Sequence, residues 1–104
     1  MKFIISSKYF YEKVTEALNN EAEFVDFNNG VMHFVNGIPE EGVFVSIEKI
    51  TEIQDQNLKL DRNKLYDLLH FLKLLEEQPI VVEVNDFGFE YSAQFQITQC
   101  IAKF

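Results

Sequence analysis

The sequence predicts an α+β domain of two β-α-β-β-β halves, about residues 2–50 and 58–103, whose two helices pack on one face of an antiparallel sheet. Three observations lead to this. Apolar residues recur at helical spacing in two segments, strands with alternating or β-branched character surround each of them, and the order of elements repeats at an offset of roughly 55 residues. Two apolar helix stripes set side by side on a sheet would be buried together.

Taken in order, residues 2–5 (KFII) read as a short strand, and Ser6 and Ser7 offer side-chain oxygens able to cap a helix. Phe10, Val14, Ala17 and Leu18 then lie on one stripe, which predicts a helix over about 7–19. Asn19 and Asn20 end it, because asparagine tolerates the left-handed backbone that closes helices. Residues 22–27 and 31–35 are β-like on either side of Asn28-Asn29-Gly30, a strong hairpin signal. A polar link at 36–42 leads to a further strand at 43–50, and 51–56 reads as a connector.

The second half starts again with Leu58-Lys59-Leu60 as a strand and Asp61 as an N-cap. Leu65, Leu68, Leu69, Leu72 and Leu75 mark a helix ending near Gln78-Pro79. Ile80, Val82 and Val84 share one face of a strand, and residues 85–88 form a turn. Phe89, Tyr91, Ala93, Phe95 and Ile97 alternate with polar residues as a half-buried strand does, and 99–103 reads as a last short strand. Of the helix positions, Phe10, Val14, Leu18, Leu65, Leu69 and Leu72 are expected to turn inward.

At 104 residues, with 47% hydrophobic and 25% charged, the chain 1–104 reads as one domain with one core. Eleven Phe and four Tyr with no Trp make that core aromatic. The single Cys100 has no intramolecular partner, so a reducing compartment is expected. The start, with three apolar residues before Ser6, is too short for a signal-peptide core, and no segment has the length to cross a bilayer. Together these predict a cytoplasmic protein without a membrane partner.

The net charge of −8 argues against non-specific attraction to nucleic acid or anionic membranes. It is unevenly spread. The helical segments carry Lys8, Lys13, Arg62, Lys64 and Lys73 against Glu12, Glu16, Asp67, Glu76 and Glu77 and are neutral together, so the excess acid lies elsewhere. If the helices share a face, it is the least acidic part of the surface, with Lys8, Lys13, Arg62, Lys73 and His70 as its candidate contacts.

The opening KFIISSKYFYEKVTEAL, the strand Leu58 to Leu60, the helix Arg62 to Leu75, the run EEQPIVVEV and the aromatic alternation after Gly88 together resemble one domain of a DNA sliding clamp, the bacterial polymerase III beta-subunit ring. The resemblance spans nearly the whole chain and rests on the order of elements. It implies helices facing DNA on the inside of a ring, and sheets on the outside whose edge strands pair between domains. The chain departs from that family in two respects: it has one domain where a bacterial clamp subunit has three, and its helices lack a surplus of Lys and Arg.

No catalytic, cofactor or metal constellation is expected. His33 and His70 stand alone and far apart, so neither zinc spacing nor a hydrolase triad around Ser6, Ser7, Ser46 or Ser92 is suggested. Gly30, Gly37, Gly42 and Gly88 sit singly at turns, without a phosphate-binding loop. Glu40-Glu41 and Glu76-Glu77 read as solvated charge, and Cys100 as a small apolar side chain. The sequence therefore points to a non-catalytic binding or assembly module that self-associates through sheet edges at 43–50 and 95–103, or alternatively to a small interaction adaptor unrelated to replication. DNA binding by the isolated domain is expected to be weak.

Overall fold

The computed structural model describes residues 1–36, 42–85, 88–93 and 101–103, the last three by their backbone. Its elements are β1 (Lys2–Ser6), α1 (Ser7–Asn19), β2 (Phe24–Asn28), β3 (Val31–Val35), β4 (Val43–Val45), β5 (Glu48–Lys49), β6 (Gln56–Lys59), α2 (Arg62–Lys73), β7 (Pro79–Asn85), β8 (Gly88–Ala93) and β9 (Ile101–Lys103). The protein is α+β, with two helices that pack against each other and two antiparallel sheets.

The single sheet expected from the sequence is corrected here. One sheet runs β5-β1-β7-β8-β9 and the other β4-β3-β2-β6. β1 pairs with β7, Phe3 opposite Val82, and β6 pairs with β2, Leu58 opposite Val25, so the first strand of each half lies in the sheet of the other half. A β-α-β unit that closes on itself makes a parallel pair, whereas exchanging the first strands keeps every ladder antiparallel. Periodicity cannot show this, because it gives a strand's buried face and not its partner.

The expected strand at 43–50 is also corrected: it breaks at Ser46 and Ile47, leaving β4 at the edge of one sheet and β5 at the edge of the other. β6 begins at Gln56, inside the expected connector, and α2 stops at Lys73, short of Gln78. The continuation of the expected strand past Ala93, with Phe95 and Ile97, and the start of the expected last strand, with Cys100, lie outside the described residues, as do Gly37, Glu40 and Glu41.

Both helices contribute their apolar stripes to one core. Phe10, Val14, Ala17, Leu65 and Leu68 are fully buried, and Leu72 nearly so. Leu69 and Leu18, expected to point inward, are only half-buried; Leu68 occupies the central position because the buried side of α2 is centred on Leu65, Leu68 and Leu72. From the sheets, Ile80, Val82 and Val84 and then Phe89, Tyr91 and Ala93 face the same interior by strict alternation. Phe27 of the four-stranded sheet sits 6.1 Å from both Phe3 and Phe89 of the five-stranded sheet, joining the two.

The helix ends show where local chemistry was read correctly. Asp61 accepts hydrogen bonds from the backbone N–H groups of Asn63 and Lys64, capping α2. Ser6, at the N-cap position of α1, makes no capping bond and instead donates to the Glu77 carboxylate. The buried Ser7 hydroxyl donates to the Glu76 carbonyl and accepts from the Gln78 N–H, tying α1 to the connector that follows α2. Beyond α1, Glu21 takes the left-handed conformation at φ 56° and Asn20 does not. In the β2–β3 hairpin, Asn29 and Gly30 both have positive φ, as their turn signal predicts.

Candidate functional site

The most unusual side chain outside the core is His33, on the outer face of β3. Met32 and Phe34 flank it and point inward. Alternation should leave His33 as open as Val31, which is 42% exposed, yet it is only 8% exposed. Two neighbours account for this. Phe44, its register partner on β4, stacks flat on the imidazole at 3.8 Å and 8° from parallel. Gly42 closes the side, where a Cβ would overlap His33 Nε2 and the Phe34 carbonyl oxygen, so this glycine serves a close approach and not only a turn.

Among the described residues, His33 Nε2 has no hydrogen-bond partner. Burial pushes the imidazole pKa below its ordinary 6.5, outweighing the opposing pull of the Asp26 carboxylate, which faces His33 from β2. Phe44 itself remains 59% exposed, so the stacked pair is an apolar ridge at the sheet edge. It continues across the outer face into Val31 and the half-buried Phe24 and Val35, the last two directly opposite each other in register.

From this edge the chain passes to the other sheet. The Ser46 N–H donates to the Tyr9 hydroxyl at 3.0 Å, fixing the crossing against α1. Ile4, Ser6, Tyr9, Ile47 and Glu48 line a shallow groove of about 410 Å³ beside it. Segment 43–50 therefore supplies an edge to both sheets, β4 to one and β5 to the other, while β6 and β9 are the opposite edges.

The helix residues singled out in the sequence do not form one cluster. Lys8, Arg62, His70 and Lys73 are exposed, whereas Lys13 is half-buried, 3.5 Å from Glu16 and 5.5 Å from the centre of the Tyr9 ring. On α2 the spacing of Arg62, Tyr66, His70 and Lys73 puts them on one outward stripe, with Tyr66 58% exposed. Exposed Glu12 and Glu16 occupy α1 beside Lys8, so the weakly basic character belongs to α2 alone. Tyr66 and Phe44 were not singled out in the sequence, and His33 was read there only as an isolated histidine. An aromatic residue within a polar run could have flagged Tyr66, but the stacking of His33 depends on a cross-strand register that the sequence does not state.

Among the described residues, no group of three or more His, Cys, Asp and Glu could hold a metal ion. No described helix is long and apolar enough to cross a membrane. No family model matches the chain, and no curated protein or solved structure matches it.

Proposed function

We propose that the chain is a non-catalytic assembly module of sliding-clamp-like architecture that joins further copies of itself through sheet edges, β4 of one copy against β9 of the next. The single observation that carries this reading is the placement of those strands. Each is the terminal strand of its sheet, and the orders β4-β3-β2-β6 and β9-β8-β7-β1 correspond strand for strand. Edge strands of soluble proteins are usually protected by proline, lysine, bulges or a partner. β4 (Val-Phe-Val) contains none of the protective residue types. The resemblance to a clamp domain points the same way, since that family joins domains through sheet edges. A cytoplasmic setting belongs to this reading, expected from the lone Cys100.

Mixed isotope labelling tests it directly. Association through edges gives intermolecular contacts between labelled and unlabelled copies at Val43–Val45. Contacts confined to the exposed stripe of α2 would overturn the proposal.

A second reading is favoured by the exposed Phe44 ridge: a small interaction adaptor that docks a different protein on the outer face of the four-stranded sheet. An adaptor stays monomeric alone. Solution mass therefore separates the two readings.

A further inference from the structure

The geometry points to a proton-operated latch on the β4 edge, in which the neutral imidazole of His33 holds Phe44 and Gly42 against the sheet and protonation releases them. This rests on the assembly reading, since β4 is one of its two joining strands, but the latch acts within a single chain.

The edge strand has few other attachments. β4 is three residues long and, among the described residues, pairs with β3 alone, through Met32–Val45, His33–Phe44 and Phe34–Val43. Val43 and Val45 are buried on the core side, while on the outer side the stacked ring of Phe44 on His33 is the contact that holds the strand. Gly42 closes against Nε2, leaving no room for a side chain there, and among the described residues none accepts a proton from that atom.

Protonation would place a charge and an N–H donor at that atom. A buried donor without an acceptor is costly, and a buried charge more so. Opening the Gly42–Phe44 side exposes Nε2 to water and removes the cost. The groups facing the ring decide the direction. Among the described residues, the Asp26 carboxylate comes from β2 and favours the proton; Phe44 on β4 and Gly42 just before it carry no charge; beyond Asp26 on β6 lies the uncharged Asn57. Burial outweighs Asp26, so the closed strand prefers neutral His33.

The sign follows. A base whose pKa is lowered in the closed form contributes stability that is present above its ordinary value and is lost as pH falls toward the lowered one. The latch is shut at neutral pH and opens on mild acidification.

The test uses the full chain, following the His33 ring protons by NMR together with amide exchange at Val43–Val45 and, for comparison, at Val25 and Phe27, from about pH 8 to about pH 5. His33 titrates below the ordinary histidine value. Between the two values, exchange in β4, corrected for its intrinsic pH dependence, accelerates by up to about tenfold per pH unit and then levels off, with β2 unchanged. In His33→Gln the acceleration disappears. Should that variant fail to fold, the unmodified chain decides: exchange in β4 that stays flat through the titration of His33, or titration at or above the ordinary value, overturns the latch. Solution mass on the same samples separates the two proposals. A chain monomeric at every pH whose β4 exchange still follows His33 overturns the assembly reading and supports the latch.

Discussion

The ring of Phe27 on β2 lies 6.1 Å from that of Phe3 on β1, tilted by 51°, and this contact crosses from one sheet to the other. Because Phe27 also meets Phe89, truncating it loosens both sheets at one point. Phe27→Ala is expected to cost about 3–5 kcal/mol in denaturant unfolding. The transition should stay single, since the shared core leaves neither sheet an interior of its own.

Leu68 and Leu69 are adjacent on α2 and differ in burial, the first fully enclosed and the second half-buried. Leu68→Ala should therefore cost about 2–5 kcal/mol and Leu69→Ala distinctly less. Equal losses in unfolding midpoint would mean that the buried side of α2 is centred elsewhere.

The expected helix stripes, the Asp61 cap, the Asn29-Gly30 turn and the alternation of β7 and β8 were legible because each depends on residues near in sequence. The strand exchange was not, since β1 finds β7 across 70 or more residues, Ser6 opposite Pro79 being the nearest pair. For the same reason Ser6 and Ser7 read as capping residues but bond residues 76–78. At the candidate site, the exposed charges were visible, but the burial of His33 was not: it requires Gly42 and Phe44 to arrive from a different strand.

Ser7→Ala leaves the Glu76 carbonyl without one donor and the Gln78 N–H without its acceptor in a part-buried setting. A loss of about 1–3 kcal/mol is expected. Asp61→Ala should cost about 0.5–2 kcal/mol through the lost cap, with Asp61→Asn close to neutral. Chemical denaturation of the three variants checks the pair. A Ser7→Ala protein as stable as the parent would remove the tie between α1 and the connector from the account.

Duplex DNA should bind the isolated chain weakly at physiological salt. Phosphate contacts need a surplus of cations, and the outward stripe of α2 offers Arg62 and Lys73 against a net charge of −8. Fluorescence anisotropy measures this. Submicromolar, steeply salt-dependent binding lost in an Arg62→Ala, Lys73→Ala double variant would show that the α2 stripe is a nucleic-acid surface.

Assembly through the β4 and β9 edges is the central claim, and sedimentation equilibrium of the unmodified chain from micromolar to near-millimolar concentration tests it most directly. The account predicts a mass that rises above 12.2 kDa with concentration. Phe44→Lys, which sets a charge on the edge strand without entering the core, should return the mass to that of a single chain. A constant 12.2 kDa for the unmodified chain over the whole range would contradict it.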